Sequence, residues 1–213
     1  MTSAPVALIT GGARGLGREI VAGFAGAGYR VATCGRRAPG PDQVPDGAEF
    51  LECDVRDPDQ VAAMVSEVQQ RFGRLDVVVN NAGGTPYADA TDMSPRLFER
   101  VVALNLLAPF YVAQQANRIM QAQPEGGVIV NIGSTSAIRP AAGSSPYVAA
   151  KSGLRGLTRA LAVEWAPKVR VVQVTPGLMR TELVTETYGA DPEAVAATVP
   201  AGRFGTGADV AAD

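Results

Sequence analysis

Histidine is absent from this chain of 213 residues. Imidazole is the commonest general base in enzymes and the commonest metal-binding side chain in proteins. Its absence therefore excludes catalytic triads that contain histidine, and we predict no metal site. Any acid–base chemistry must use tyrosine, lysine, aspartate or glutamate.

Cysteine is almost as rare. The two cysteines, Cys34 and Cys53, each lie near the end of a predicted strand, and no other feature of the sequence suggests export. Disulfides persist mainly in exported proteins. We therefore expect two free, buried thiols rather than a disulfide.

Long apolar runs and basic clusters are also missing. No stretch approaches the about 18 apolar residues that a membrane span needs, and the N-terminal apolar run is too short for a signal peptide. The formal net charge is −2 with no basic run, so no footprint for nucleic acid is visible. These absences predict a cytoplasmic protein without membrane or nucleic acid partners.

Strand-like apolar runs alternate with segments whose apolar residues recur at helical spacing. The predicted strands are 6–10, 30–34, 50–55, 75–79, 128–132 and 169–174, and the predicted helices are 16–28, 61–72, 94–121 and 146–165. This alternation predicts an α/β fold, a three-layer doubly wound parallel sheet in a single domain spanning residues 1–213. Ligands of such sheets bind beyond the carboxyl ends of the strands.

A glycine-rich turn, T-G-G-A-R-G-L-G, follows the first strand and opens the first helix at Thr10–Gly17. Glycine permits a tight turn and a close approach of a pyrophosphate to the backbone, and the helix N-terminus offers free N–H groups. Glycine turns are common, but this strand-to-helix context favours dinucleotide binding.

Tyr147 and Lys151 are four residues apart in a predicted helix, so both side chains lie on one face. A phenol is a poor proton carrier at neutral pH unless a nearby ammonium lowers its pKa. Ser134 lies at the end of the preceding strand, where its hydroxyl could face the same pocket. The alternative is an ordinary surface pair.

Six motifs occur in one order along the chain. They are T-G-x-x-x-G-x-G at Thr10–Gly17, N-N-A-G at Asn80–Gly83, Asn105 within A-L-N-L-L-A-P-F, Ser134, Y-x-x-x-K at Tyr147–Lys151, and P-G-x-x-x-T at Pro176–Thr181. In order and spacing they resemble the motifs of the short-chain dehydrogenase/reductase family. The resemblance covers residues 6 to about 207.

The resemblance implies catalytic roles for four residues. Tyr147 would be the acid in reduction and the base in oxidation, and Lys151 would lower its pKa and hold the nicotinamide ribose. Ser134 would bind the substrate oxygen. Asn105 would hold a water in a proton relay to Lys151, although a helix-kink residue is the alternative.

The resemblance also implies the cofactor-binding residues. The predicted set is Thr10, Gly11, Arg14, Gly15, Leu16, Gly17, Arg36, Asp54, Val55, Asn81, Ala82, Gly83, Tyr147, Lys151, Pro176, Gly177 and Thr181. Asp54 would contact adenine, but a capping or turn role is an alternative. Asn80, the first residue of the N-N-A-G motif, could be a turn residue that joins strands.

The end of the second strand predicts NADP(H) as the cofactor. NAD-specific sites usually place an acid there to bind the ribose 2′-OH, whereas this chain has Gly35 followed by Arg36 and Arg37. Gly35 leaves room for a 2′-phosphate, which Arg36 and Arg14 could meet with charged hydrogen bonds. An aspartate at position 35, combined with loss of Arg36, is predicted to reverse the preference. The alternative is that the arginines are ordinary loop charges.

The sequence therefore predicts an oxidoreductase that transfers a hydride between NADP(H) and a small carbonyl or secondary alcohol. The alternatives are an NAD-dependent dehydrogenase of the same family and a non-catalytic, cofactor-binding regulatory protein. The predicted pocket segments 84–92, 135–143 and 178–199 are mostly small, apolar and neutral, apart from Arg139 and Arg180, which favours a moderately apolar substrate. The alternative for these two arginines is that they are solvated loop residues.

Two further expectations concern assembly and the C-terminal region. Helices 94–121 and 146–165 are apolar beyond one stripe, which predicts a subunit interface in a homodimer or homotetramer. Residues 178–200 show no clear period and are interpreted as a lid. Family members usually continue with a further helix and strand, whereas this sequence ends at Asp213, shortly after an element begins at Ala208, so it is either incomplete or lacks one sheet edge.

Overall fold

A single six-stranded parallel sheet forms the centre of the computed structural model, which describes residues 4–40, 43–180 and 191–211. Its strands are β1 Val6–Thr10, β2 Arg30–Gly35, β3 Ala48–Glu52, β4 Val77–Asn80, β5 Gly127–Ile132 and β6 Val169–Val174. They lie in the order β3-β2-β1-β4-β5-β6, with every neighbouring pair parallel. The predicted doubly wound α/β fold is confirmed.

Helices cover both faces of this sheet. They are α1 Gly15–Gly26, α2 Pro58–Phe72, α3 Pro95–Val102, α4 Ala108–Ala122, α5 Ser145–Glu164, α6 Pro192–Ala197 and α7 Gly207–Ala211. A π-helical turn at Ala103–Leu107 joins α3 to α4, so the helix predicted over 94–121 carries an internal irregularity. Across the described part of the chain, no helix is both long and apolar enough to cross a membrane.

Two predictions of local structure need correction. The third strand ends at Glu52 rather than at Val55, because the Asp54 carboxylate accepts the backbone N–H of Arg56 and turns the chain. Residues 178–200 were predicted without regular structure, but they include α6, which Asp191 caps by accepting the N–H of Ala194. The part of the predicted lid at 181–190 lies outside the described residues.

Capping side chains explain where two of the helices begin. Ser94 accepts the N–H of Leu97 at the start of α3, and Pro95 follows at the first helical position. Asp57 accepts the N–H groups of Asp59 and Gln60 at the start of α2. These caps satisfy N–H groups that a helix leaves without partners in its first turn.

The core consists of two apolar layers separated by the sheet. Leu8, Val78 and Ile129 belong to the larger layer, which packs under α2, α4 and α5, whereas Ile9 and Val79 belong to the smaller layer under α1. Successive residues of a strand point to opposite faces, so buried strands supply both layers. This explains the continuous apolar runs of β1 and β4.

A chain of buried polar side chains links the middle of the sheet to α5. The Asn80 amide donates to the Asn131 carbonyl oxygen (2.9 Å), and the Asn131 amide donates to the Thr158 hydroxyl (2.9 Å). All three residues are at most 6% exposed. Hydrogen bonds between buried polar groups fix their relative positions. Asn80 therefore joins neighbouring strands, and α5 is held in register with β5.

The two cysteines are free and buried, which confirms the sequence prediction. Burial raises the pKa of the Cys34 thiol to about 12 and that of the Cys53 thiol to about 11. Since the thiolate is the reactive form, burial disfavours reaction of both thiols at neutral pH.

Candidate active site

The carboxyl ends of β1, β2, β3 and β4 open into a cleft of about 1000 Å³. Its walls are formed by the glycine turn, by the residues that follow β2 and β3, by the loop after β4 and by α3. The cleft extends to Gly83 and Gly84. This is the strand edge where the fold predicts a ligand site.

Glycine is required at several points of the turn that opens α1. Gly11 and Gly15 have positive φ angles of 72° and 50°, which other residues rarely adopt. A Cβ on Gly17 would lie 2.2 Å from the carbonyl oxygen of Gly11. Gly12, which the sequence analysis left unassigned, is equally constrained, because a Cβ there would lie 2.3 Å from the Thr33 hydroxyl. The backbone thus approaches the cleft without side chains in the way.

Thr10 holds the glycine turn against the loop after β4. Its hydroxyl oxygen accepts the N–H groups of Asn81 (3.1 Å) and Ala82 (2.9 Å), and the Asn81 amide donates to the Thr10 carbonyl oxygen (2.9 Å). Thr10 is only 2% exposed. Its hydroxyl therefore positions two cleft loops.

The cleft is strongly cationic. Four arginines that line it are exposed and have no ion pair or side-chain hydrogen bond among the described residues; they are Arg14, Arg36, Arg37 and Arg100. In addition, α1 has neither a side-chain cap nor an acidic residue in its first turn. Free N–H groups, a helix dipole and unpaired guanidinium groups together favour a ligand with several phosphates.

A single carboxylate, Asp54, lies among the described residues that line this cleft. The Arg56 guanidinium donates to it, with 2.9 Å between Nε and Oδ1, and this hydrogen bond holds the pKa of Asp54 below its usual range. The charge of Asp54 is therefore largely balanced, and the cleft keeps its positive character. Arg37, Arg56 and Arg100 were not predicted as cleft residues.

Lys151 is almost completely buried, with 3% of its surface exposed. Its Nζ donates to the carbonyl oxygen of Ile132 (2.7 Å) and lies 5.6 Å from the centre of the Tyr147 ring. Burial lowers the pKa of the Lys151 ammonium from 10.5 to about 8. The predicted Tyr147–Lys151 pair therefore exists on one face of α5, and it is not an ordinary surface pair.

Ser134 follows β5 and begins a short 3₁₀ turn, Thr135–Ala137. Its hydroxyl oxygen accepts the N–H of Ser136 (3.1 Å). This contact orients the oxygen while leaving the hydroxyl proton able to donate to another acceptor.

Asn105 lies in the π-helical turn and is fully buried. Its side chain accepts the N–H of Gly84 (3.0 Å) and donates to the carbonyl oxygens of Gly84 and Val101 (2.9 Å each). A Cβ on Gly83 would lie 2.8 Å from Oδ1 of Asn105 and 3.5 Å from Nζ of Lys151. Asn105 and Lys151 therefore both lie close to Gly83, at the inner end of the cleft.

The predicted residues after β6 are only partly described. The Pro176 carbonyl oxygen accepts the N–H of Thr135 (3.1 Å), which joins this segment to the Ser134 turn, and Gly177 is exposed. Thr181 lies outside the described residues. Ser134, Tyr147 and Lys151 are not among the residues that line the cleft, which ends beside Lys151 at Gly83.

Comparisons with known proteins agree on one family. A family model described as short chain dehydrogenase matches residues 5–191. The chain is 36% identical to a 3alpha-hydroxysteroid dehydrogenase of Mediterraneibacter gnavus, covering 97% of this chain and 86% of that one. It is 33% identical to a D-threitol dehydrogenase of Mycolicibacterium smegmatis, covering 97% and 83%.

A solved structure gives the same result. The aldohexose dehydrogenase of Thermoplasma acidophilum superposes with a TM-score of 0.91 at 30% identity, covering 99% of this chain and 85% of that one. The names of these three proteins refer to a steroid, a polyol and a sugar, so similarity alone does not select a substrate. Both the family model and the relatives span most of the chain, which therefore belongs to the short-chain dehydrogenase/reductase family of oxidoreductases.

Proposed function

We propose that this protein transfers a hydride between NADP(H) and a carbonyl or secondary alcohol, with Tyr147 as the general acid or base. Enzymes of its family use a nicotinamide dinucleotide. The observation that carries the proposal is the buried ammonium of Lys151 beside the Tyr147 ring, at the inner end of a cationic cleft.

The cleft suits a dinucleotide phosphate along its whole length. The glycine turn and the uncapped start of α1 would hold the pyrophosphate, and Val55 with the Ala82 backbone would flank adenine. Other predicted contacts, including Leu16 at the turn and Gly177 and Thr181 after β6, remain predictions. When bound, the nicotinamide supplies or accepts the hydride, and the protein supplies position and the proton.

The residues around Tyr147 can carry the proton. Ser134 would donate its free hydroxyl proton to the substrate oxygen and stabilise the charge that develops there. The Tyr147 hydroxyl would give a proton to that oxygen in reduction and remove it in oxidation. The Lys151 ammonium would favour the deprotonated phenol, since an adjacent positive charge stabilises an anion.

Replacement of the proton would pass through Lys151 and Asn105. Pro109 has no N–H, so the backbone carbonyl of Asn105 lacks the donor that a regular α-helix would place four residues later. That carbonyl could hold the water that the relay requires. The same π-helical turn supports the kink interpretation, so Asn105 would combine the two roles.

Arginines support NADP(H) over NAD(H). Arg14, Arg36 and Arg37 line the cleft and form no salt bridge among the described residues, and Gly35 stands where NAD-specific sites carry an acid. Two charged hydrogen bonds to a 2′-phosphate contribute about 1.5–3 kcal/mol each. Together, about 3–6 kcal/mol corresponds to preference factors of about 10² to 10⁴.

The rim of the predicted substrate pocket supports a moderately apolar substrate. Tyr87 and Ile138 lie in two predicted pocket segments and are 59% and 62% exposed. These segments are tied together where the Ala88 N–H donates to the Gly143 carbonyl oxygen (3.0 Å). The predicted polar exception Arg180 pairs with Glu193 and stacks on Phe204, so its charge is engaged within the protein.

An activity screen tests this proposal. Purified protein would be mixed with NADPH or NADH and a panel of aliphatic, aromatic and cyclic ketones, and the absorbance at about 340 nm followed. We expect loss of the reduced-nicotinamide band with NADPH and at least one apolar ketone. Tight binding of NADPH with no turnover on any ketone, or on any alcohol with NADP⁺, would instead favour a regulatory, non-catalytic protein.

A further inference from the structure

We propose that Phe50 prevents position 35 from supporting NAD(H) binding, because its ring fills the space that an acidic side chain at this position would need. The inference rests on the proposed function and deepens it, because it assigns a specificity-determining role to a residue on a different strand. Neither the glycine turn nor the arginines would limit the space for a side chain at position 35.

Strand register brings Phe50 to the same face as Gly35. In the parallel pair of β2 and β3, Thr33 lies opposite Phe50 and Gly35 lies opposite Glu52. Residues two apart on a strand share a face, so the Phe50 ring can lean one step forward along the sheet toward Gly35. Both residues line the cleft.

The distances show that the ring covers Gly35. A Cβ on Gly35 would lie 3.3 Å from Cζ and 3.4 Å from Cε2 of Phe50. These separations are shorter than the optimum of about 3.5–4.0 Å between carbon atoms. Even a methyl group at position 35 must therefore displace the ring slightly, and a longer side chain must displace it further.

An NAD-type site needs more room than Gly35 has. The acid that binds the ribose 2′-OH leaves the backbone at the end of the second strand. At position 35 the Cβ of this acid would contact the Phe50 ring. The apolar ring would then remove part of the hydration of the carboxylate. Moving the ring together with β3 is also unfavourable. The Cys53 N–H donates to the Gly35 carbonyl oxygen (2.8 Å) and holds the end of β3 against β2.

The neighbouring carboxylate of β3 does not substitute for the missing acid. Glu52 lies opposite Gly35 in the register and is exposed, but it is not among the described residues that line the cleft. In this part of β3, Phe50 therefore lines the cleft and Glu52 does not. Glu52 also offers a matched control, since it is nearby and charged.

Dinucleotide binding tests the inference without requiring a known substrate. The fluorescence of NADPH and of NADH would be titrated with wild type, Gly35→Asp, Phe50→Ala and the Gly35→Asp/Phe50→Ala double variant. We expect Gly35→Asp to weaken NADPH binding by about tenfold or more, through charge repulsion, with no gain in NADH binding. The double variant should bind NADH about tenfold more tightly than Gly35→Asp does, which is a coupling between the two positions.

Controls separate this effect from unfolding and from general changes in charge. Thermal unfolding of each variant checks the fold, and Phe50→Leu replaces Phe50→Ala if the larger truncation does not fold. Glu52→Gln should leave the affinities for both cofactors unchanged. If Gly35→Asp alone binds NADH as tightly as the double variant, Phe50 has no steric role and the inference is wrong.

The failure of the proposed function has a different signature. A folded wild type that binds neither dinucleotide would overturn the proposed function together with this inference. A wild type that binds both equally would overturn only the NADP(H) preference, since coupling between positions 35 and 50 would still support the role of Phe50.

Discussion

Replacing Lys151 with methionine should change how the folding stability of the cofactor-free protein depends on pH. The ammonium is 3% exposed and has one described hydrogen bond, to the Ile132 carbonyl oxygen. Burial lowers its pKa from 10.5 to about 8. Methionine has a similar length and no charge, so Lys151→Met removes the titrating group with little change in packing.

The sign follows from proton binding. Between pH 8 and pH 10.5 the unfolded chain binds a proton at this lysine that the folded chain does not. Stability therefore rises with pH across this window and is lowest below pH 8. One pKa unit corresponds to about 1.4 kcal/mol, so the full rise is about 3 kcal/mol.

The stability of Lys151→Met relative to wild type should differ between the two ends of this pH range. Removing the donor leaves the Ile132 carbonyl without its partner, which costs about 1–3 kcal/mol at any pH. Near pH 7 the lost desolvation penalty offsets that cost, so Lys151→Met should be at least as stable as wild type. Near pH 10 it should be less stable.

Urea unfolding of both proteins at several pH values between 7 and 10 measures the effect. The raised thiol pKa values of Cys34 and Cys53 lower stability as the pH rises above 9, but they do so in both proteins and cancel in the difference. For an m-value of about 2 kcal/mol/M, the difference between the two midpoints should change by about 1 M. Arg155→Met, an exposed substitution on the same helix, is the control. A difference that stays constant over this range would refute the reasoning.

Three further predictions address the turn, the cofactor and the assembly. Gly17→Ala should lose most dinucleotide affinity and melt at a lower temperature, because its Cβ would meet the Gly11 carbonyl oxygen at 2.2 Å; an unchanged melting temperature would contradict this geometry. Arg36→Ala should weaken NADPH binding by about tenfold and leave NADH binding nearly unchanged, whereas equal losses for both would show that Arg36 does not contact the 2′-phosphate. The helices that expose Phe98, Leu107 and Val163, by 40%, 40% and 81%, should pair in a homodimer or homotetramer; sedimentation of only monomer at micromolar concentration would exclude this interface.

Local sequence patterns predicted much of the fold and of the site. The four-residue spacing of Tyr147 and Lys151 was sufficient to place both on one helical face, since helical geometry is set by neighbouring residues. The apolar runs of β1 and β6 gave their bounds as the structure has them. The motif order gave the family, which the comparisons confirm.

Contacts between distant residues could not be read from these patterns. Phe50 covers Gly35 only because two strands pair in one register, and Arg100 reaches the cleft from a helix far along the chain. The hydroxyl of Thr10 bonds to the loop after β4, a contact that the glycine-turn motif does not reveal. Sequence spacing carries no information about which loops meet, so these roles need the tertiary structure.

Turnover by wild type and by Tyr147→Phe tests the central claim most directly. Phenylalanine keeps the ring and removes the only hydroxyl that we assign to proton transfer. The account predicts that wild type consumes NADPH with an apolar ketone, while Tyr147→Phe retains about 1% or less of the wild-type kcat and binds NADPH normally. A variant that keeps half of the wild-type kcat would contradict the account.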